Sequence, residues 1–274
     1  MPGRAPLPTA AGLAYREAGP PDGRPVLCVH GWPQSSHMWR RTLEALAARG
    51  LRGIAPDLPG FGDSPHRRPA TWAMHRAALE DFRAALGLER AALVVHDWGG
   101  LIGLRWACEH PGTVDALVIS STGFFADGRW HGMARAMRTP GEGERLVAGL
   151  TREAFDDLLR SVSRGLDAAA LAEYWRGVEG EGGPAVLELY RSGDLEQLAP
   201  HEGALAALGV PTLLLWGEDD PFAPVAGAHR LAREIPHAEL HVIPRTGHFV
   251  VEDAPQEYAA RVAAFLADPP PGRA

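Results

Sequence analysis

An aspartate, Asp97, stands between a short apolar run and a glycine pair, in the segment His96-Asp97-Trp98-Gly99-Gly100. A strand followed by a tight turn and a helix lifts the central side chain out of the end of a sheet. A carboxylate at a helix N-terminus is stabilised as an anion, so Asp97 would be ionised and able to attack carbon. Aspartate also suits a plain capping role at this position, so the other polar residues must decide between the two.

Three further polar segments each follow an apolar run. They contain His248, the pair Asp219-Asp220, and Trp32 after a His-Gly pair. In open α/β sheets the functional groups lie beyond the carboxyl ends of the parallel strands, so these segments are expected to converge. The order along the chain is nucleophile, acid, histidine. It predicts that His248 activates water, that an acid orients its other ring nitrogen, and that backbone N–H groups at Trp32 and Trp98 form an oxyanion-type pocket.

The elements that must position these residues follow from the hydrophobic pattern. Short, nearly continuous apolar runs alternate with helix-like periods, which predicts a mostly parallel sheet flanked by helices on both faces. The predicted strands are residues 26–29, 53–56, 92–95, 116–119, 211–215 and 240–243, and the predicted helices are residues 37–48, 72–86, 101–109, 225–235 and 255–266.

The alternation stops between residues 123 and 206, where no clear strand is found. This stretch predicts a helical insertion over one end of the sheet, with helices at 151–163, 168–177 and 186–190 and glycine-rich joints at 141–143 and 180–183. The predicted organisation is a core in two parts, residues 1–122 and 206–274, with a helical cap at 123–205. The proline-rich tail, residues 268–274, is expected to be disordered.

Composition excludes several function classes. The 274 residues carry 27 basic and 34 acidic side chains, a net charge of -7, which argues against nucleic-acid binding and against an anionic membrane surface. No apolar run approaches the ~20 residues of a membrane span, and the N-terminal residues lack the apolar stretch of a secretory signal, so a cytoplasmic protein is expected. Two cysteines, Cys28 and Cys108, predict neither a disulfide framework nor a zinc site.

Two residue types, Lys and Asn, do not occur in the chain. Without Lys there is no phosphate-binding GxxxxGK loop and no Schiff-base chemistry, and neither HExxH nor GxGxxG is found. We therefore expect no metal and no cofactor. A monomer or a homodimer is expected, with a small molecule as the partner.

Over essentially its whole length the chain resembles the α/β-hydrolase superfamily. More narrowly it is similar to the branch with an aspartate nucleophile, which comprises haloalkane and haloacetate dehalogenases and epoxide hydrolases. The resemblance rests on residues 30–33 (HGWP), 55–64 (APDLPGFGDS), 96–100 (HDWGG), 217–221 (GEDDP) and 247–249 (GHF). It implies an α/β-hydrolase fold with a helical cap.

The resemblance also implies the catalytic roles. Asp97 would form a covalent alkyl ester, and water activated by His248 would hydrolyse that ester. The family places the acid three residues after the glycine, which selects Asp220 over Asp219 as the residue that orients His248. Some dehalogenases carry the acid after the preceding strand, near Ser121 in this chain, but serine cannot serve and Asp127 lies too far on.

The leaving group remains open between a halide and an epoxide oxygen. A halide needs N–H donors, and Trp98 follows the nucleophile where dehalogenases place an indole. Many of these enzymes take a second donor from an Asn after the His-Gly pair, where this chain has Trp32. The second donor would therefore be Trp32, Tyr190, or one of two tryptophans of the predicted cap, Trp130 and Trp175.

An epoxide oxygen needs an O–H acid, and Tyr190 in Leu189-Tyr190-Arg191 resembles the cap tyrosine of epoxide hydrolases. The other candidates in the cap are Tyr174, which also fits a packing role, and His131. Haloacetate dehalogenase is disfavoured, because Trp98 and Leu101 stand where that family has arginines.

The match favours a haloalkane dehalogenase acting on a small, neutral, apolar substrate. The alternative is an epoxide hydrolase with Tyr190 as the ring-opening acid. A catalytically silent ligand-binding protein on the same fold is the remote alternative.

Overall fold

The computed structural model describes residues 6–270. The tail predicted to be disordered, residues 268–274, lies mostly outside the described residues. Most of the N-terminal segment that was predicted to lack a secretory signal also lies outside them. Eight strands form one sheet: β1 (Thr9–Ala10), β2 (Leu13–Ala18), β3 (Pro25–Val29), β4 (Arg52–Pro56), β5 (Ala91–His96), β6 (Val114–Ser120), β7 (Thr212–Gly217) and β8 (Glu239–Ile243).

The sheet is mostly parallel and has the order β1-β2-β4-β3-β5-β6-β7-β8. Strands β3 to β8 run parallel to one another and are the six predicted strands. Every residue of β5 and of β7 is buried, as expected when helices cover both faces. The antiparallel strands β1 and β2 at the edge were not predicted, because β2 mixes apolar with charged residues and gives no continuous apolar run.

In the described part of the chain, twelve α-helices and two 3-10 helices surround or cross the ends of the sheet. The helix α1 (Arg40–Ala47) packs against α12 (Pro255–Ala267) and β4, and α2 (Trp72–Ala85) packs against α3 (Trp98–Glu109). The helices are α1 (Arg40–Ala47), α2 (Trp72–Ala85), α3 (Trp98–Glu109), α4 (Gly132–Arg138), α5 (Glu142–Ala148), α6 (Arg152–Val162), α7 (Ala168–Trp175), α8 (Gly182–Arg191), α9 (Ala204–Ala207), α10 (Val225–Glu234), α11 (Val250–Asp253) and α12 (Pro255–Ala267), with 3-10 helices at Ser36–Trp39 and Leu195–His201.

The segment between β6 and β7, residues 123–205, contains helices and no strand, as predicted. We call it the helical segment. Two of its helices, α4 and α5, were missed because the glycines at 141–143 were interpreted as a joint. Gly141 does mark the boundary, with a φ of 79°, but Gly143 lies inside α5. There it allows a close approach, since a Cβ on Gly143 would lie 2.6 Å from the carbonyl oxygen of Met137. Among residues 6–270, no helix combines the length and the apolar character needed to cross a bilayer.

Candidate active site

Asp97 occupies a strained turn between β5 and α3. Its φ of 51° lies in the left-handed region that residues other than glycine rarely adopt, which is the geometry of a nucleophile elbow. The turn is stabilised by Thr122, whose hydroxyl donates to the Asp97 carbonyl oxygen at 2.7 Å. Gly99 lets α3 start close to β3, since a Cβ there would lie 2.2 Å from the Val29 carbonyl oxygen. These contacts therefore hold the strained turn in place, and the turn places the Asp97 carboxylate at the carboxyl end of the sheet.

Two backbone N–H groups bind the Asp97 carboxylate. The Trp32 N–H donates to Oδ1 at 2.9 Å, and the Trp98 N–H also bonds to the carboxylate. These are the two N–H groups that the sequence predicted for an oxyanion-type pocket. The approach requires glycine at position 31, where a Cβ would lie 2.2 Å from Oδ1. Burial raises the pKa of Asp97, but the hydrogen bond to His248 and the charge of that residue outweigh it, so the pKa lies below its ordinary value.

His248 lies between two carboxylates. Its Nδ1 is 3.0 Å from each carboxylate oxygen of Asp220, and its Nε2 is 3.5 Å from Oδ2 of Asp97. Burial lowers the pKa of His248, but the charge and hydrogen bond of Asp220, followed by those of Asp97, raise it to about 10. The Asp97-His248-Asp220 array is the geometry of a nucleophile, a base and an orienting acid.

Asp220, not Asp219, is the carboxylate on the histidine. Its Oδ1 also accepts the backbone N–H groups of Phe222 and Ala223, both at 2.9 Å. Asp219 is half exposed and lies 3.6 Å from Arg164. Asp127, the other acid considered from the sequence, forms a salt bridge with Arg230 at 2.6 Å.

The residue before the elbow, His96, also contributes and was not among the predicted site residues. Its Nε2 is 2.8 Å from the His248 carbonyl oxygen, while its Nδ1 is buried and has no partner. Burial is the largest effect on its pKa and lowers it to about 4, so the ring is neutral and Nε2 carries the hydrogen. His96 therefore anchors the main chain of His248, the predicted base. Its position next to Asp97 was the only available sequence signal.

A cavity of about 290 Å³ opens on Asp97 and His248. Its walls are largely apolar, and the exposed Arg129 also borders it. A second, smaller space of about 20 Å³ lies beside it and shares Asp97, His248, His131, Tyr190 and Phe222 in its lining. Apolar side chains on the larger cavity are Leu101, Phe125, Trp130, Leu195, Phe222 and Pro224.

Three predicted donor residues, Trp98, Trp32 and Tyr190, are buried around these cavities. The rings of Trp98 and Tyr190 meet edge to face at 4.8 Å. Burial, and then the charge of Asp97, raise the pKa of the Tyr190 phenol, while a hydrogen bond from Trp98 opposes the rise. The indole N–H of Trp32 is buried and has no partner.

The remaining candidates of the helical segment divide into two groups. Trp130 and His131 border the larger cavity, but the Trp130 N–H is used by Asp194 at 2.9 Å and Nδ1 of His131 caps α4. Tyr174 and Trp175 border neither cavity. The Tyr174 hydroxyl donates to the buried Glu252.

Trp175 packs against Phe155, with ring centroids 5.4 Å apart. The expectation of a leaving-group role for Tyr174 and Trp175 is therefore corrected, because both side chains are used in packing away from Asp97. Within residues 6–270, no group of three or more His, Cys, Asp or Glu side chains is arranged to hold a metal ion.

Comparison with known proteins identifies the family and supports the fold. Residues 24–255 match the family model of the alpha/beta hydrolase fold. A haloalkane dehalogenase from Mycobacterium marinum is 33% identical over 272 residues, covering 92% of this chain and 88% of that protein. One from Mycolicibacterium paratuberculosis is 30% identical, covering 92% and 87%. The crystal structure of haloalkane dehalogenase DbeA from Bradyrhizobium elkani superposes with a TM-score of 0.81 at 27% identity, covering 96% of each chain.

Proposed function

The chain belongs to the alpha/beta hydrolase fold family, in its dehalogenase-like branch, and from that premise we propose that it is a haloalkane dehalogenase. One observation carries the choice of leaving group. Two indoles, those of Trp98 and Trp32, flank Asp97, and the Trp32 N–H is buried without a partner. A buried donor without a partner is costly unless something binds it, and a departing halide is an acceptor that fits an N–H.

In the first step Asp97 is the nucleophile. One carboxylate oxygen attacks the sp³ carbon that carries the halogen, a C–O bond forms, and the C–X bond breaks with its electron pair leaving on the halide. The unpartnered indole N–H of Trp32 stabilises the charge that develops on the halide, and the Trp98 N–H joins it when the halide replaces the Tyr190 oxygen as its acceptor. The product of this step is an alkyl ester on Asp97.

In the second step His248 is the base. Ester formation removes the Asp97 charge that helps to raise the pKa of His248, so the histidine becomes easier to deprotonate at the stage when a base is needed. Neutral His248 takes a proton from water, which attacks the carboxyl carbon of Asp97. The backbone N–H groups of Trp32 and Trp98 stabilise the oxyanion on Oδ1. As the intermediate collapses, protonated His248 returns its proton to the leaving alkoxide, the alcohol departs, and Asp97 is regenerated as a carboxylate with one proton released to solvent.

The smaller cavity suits this water. Its volume of about 20 Å³ exceeds the roughly 10–15 Å³ that one water requires, and both Asp97 and His248 border it. We propose that the water is activated here, while the larger cavity holds a small, neutral, apolar substrate. In this proposal residues 123–205 act as the cap. A cytoplasmic location and a monomeric or dimeric state stay predictions.

Epoxide hydrolysis is the second candidate, because Tyr190 is positioned for it. Its phenol is buried, faces the Asp97 charge and keeps its proton, since its pKa is raised. An opening epoxide would take that proton, and the Trp98 N–H would stabilise the phenolate. Among residues 6–270, Tyr190 is the only tyrosine that borders either cavity, which weighs against this function, and Tyr174 is bound to Glu252.

Mass spectrometry of a trapped intermediate tests both functions. His248→Phe should still be alkylated at Asp97 but should not hydrolyse the ester. Incubation with 1-bromobutane is expected to add the butyl group and release bromide, and the double variant with Asp97→Ala should gain nothing. Addition of the whole mass of styrene oxide, without a butyl adduct, would favour the epoxide hydrolase. If neither probe adds mass, the alkylation mechanism is rejected and a silent ligand-binding protein becomes the better description.

A further inference from the structure

Asp253, at the end of α11, connects the residue before His248 to the helical segment. Its Oδ2 accepts the Gly247 N–H at 2.6 Å. Its Oδ1 accepts the backbone N–H groups of Arg164 and Gly165, at 2.7 and 2.9 Å, and the hydroxyl of Ser163. Hydrogen bonds to a charged acceptor are about twice as strong as neutral ones, so this one carboxylate holds two chain segments together. We call Asp253, Gly247 and residues 163–165 the Asp253 junction.

The two chain segments touch closely at this junction. A Cβ on Gly165 would lie 1.9 Å from the Glu252 carbonyl oxygen, and one on Gly247 would lie 2.2 Å from that of Val162. The His248 N–H also donates to the Val162 carbonyl oxygen at 3.3 Å. The main chain that carries the base therefore lies directly against the end of α6 and the loop after it.

We propose that Asp253 is a positioning residue for His248, and that it couples the helical segment to the base. The inference rests on the proposed function. The His248 ring must meet Asp220 at 3.0 Å on one nitrogen and face Asp97 at 3.5 Å on the other. A displacement of about 1 Å can cost on the order of 100-fold in rate, so the main chain at 247–248 must be held firmly.

The Asp253→Asn variant tests the proposal with little change of shape. Oδ1 and Oδ2 both accept N–H groups, so an amide in either orientation places its NH₂ against a donor. With 1-bromobutane, alkylation of Asp97 should stay within about 2-fold of wild type, while ester hydrolysis should slow by about 10-fold. The butyl ester should then accumulate in a chain that still has His248, and kcat should fall together with KM.

Asp167→Asn is the matched control. Asp167 lies in the same helical segment, accepts the Ala170 N–H at 2.7 Å and lies 3.8 Å from Arg40, so these partners differ from those of Asp253. It should lower stability without accumulating ester. If Asp253→Asn accumulates no ester, or slows alkylation and hydrolysis equally, Asp253 has only a structural role and the proposal is overturned.

Two further measurements keep the test decisive. If Asp253→Asn does not fold, Ser163→Ala removes a single donor and should slow the same hydrolysis step to a smaller extent. An unchanged hydrolysis rate there contradicts the proposal. NMR titration of the His248 ring needs no substrate: loosening of the Asp220 pair should lower the pKa of His248 in Asp253→Asn, and an unaltered titration also overturns the proposal. Failure of the proposed function appears separately, as the absence of any adduct on His248→Phe.

Discussion

The strand ends and the helical segment contribute to the same cavity in different ways. At the strand ends, the Asp97, His248 and Asp220 side chains are held by backbone groups and by one another. In the helical segment, two polar groups at the cavity are used elsewhere: the Trp130 N–H donates to Asp194, and Nδ1 of His131 caps α4. Tyr190 is the exception, since its phenol meets Trp98.

This difference separates the two parts of the chemistry. A nucleophile and a base need a fixed mutual geometry, which a parallel sheet with short, strained turns supplies. In the proposed function the halide meets the indoles of Trp98 and Trp32, which belong to the core. Side chains of the helical segment line the rest of the cavity and would shape the space for the substrate.

The largest expected effect is at the strand ends. Asp97→Asn should reduce bromide release from 1-bromobutane by at least about 10⁴-fold, because the amide cannot form the ester. The fold should be retained, since asparagine tolerates the positive φ of 51° at this position. Thermal unfolding checks the fold, and Asp194→Asn in the helical segment is the control that should keep most activity. Bromide release that persists in Asp97→Asn would contradict the role of Asp97.

The leaving-group donors should give the next largest effects, and they separate the two regions. Trp98→Phe and Trp32→Phe remove indole donors of the core and should each lower kcat/KM for a bromoalkane by roughly 10- to 100-fold. Tyr190→Phe removes only the phenol of the helical segment and should change bromide release by less than about 3-fold. Steady-state bromide release measures all three. A larger loss in Tyr190→Phe than in Trp32→Phe would reverse the assignment and favour epoxide chemistry.

Acid should destabilise the protein where the core helix α2 packs beside α8 of the helical segment. His75 in α2 is buried beside Val186 and Leu189 of α8, and burial is the largest effect on its pKa, which it lowers to about 3. A lowered histidine pKa means that the unfolded chain binds more protons between about pH 3 and 6.5, so stability falls as the pH drops through that window. At pH 5 this effect of His75 should lower the free energy of unfolding by on the order of 2 kcal/mol relative to pH 7.

Thermal unfolding between pH 7 and pH 4.5 measures this effect. His75→Phe should flatten the fall of Tm with acidity, whereas the exposed His229→Phe should leave its slope unchanged. His248 acts in the opposite direction, because its pKa is raised to about 10 and its stabilising effect is lost as the pH rises from about 6.5 towards 10. If Tm falls with acidity as steeply in His75→Phe as in the wild type, His75 does not limit stability in acid.

The smallest expected effect concerns Tyr174. Tyr174→Phe removes the hydrogen bond to Glu252, which keeps its bidentate pair with Arg40 at 2.8 Å. Stability should fall by about 1.5 kcal/mol, as for the loss of a hydrogen bond to a charged group, while turnover should be nearly unchanged. Urea unfolding and bromide release give the two values. If epoxide chemistry occurs, Tyr190→Phe should lower the turnover of styrene oxide while leaving stability nearly unchanged.

The core was predictable because its signals are local. Continuous apolar runs indicated β3 to β8, and the turn residues around Asp97 indicated the elbow. The same logic failed for β2, whose polar residues lie at the sheet edge, and for α4 and α5, whose glycines resemble a joint. Glycine within α5 is tolerated because packing requires a close approach there.

The sequence by itself determined the six parallel strands, the order of the three residues of the array and the preference for Asp220. The strands and the order follow from local pattern and from the rule that parallel strand ends share one edge, whereas the preference for Asp220 follows from the resemblance to the α/β-hydrolase superfamily. The tertiary structure alone decided which aromatic residues reach Asp97, that Tyr174 is bound to Glu252, and that Asp253 holds the His248 loop. The physical reason is that helical periodicity shows which face of a helix is buried, but not against which partner it packs.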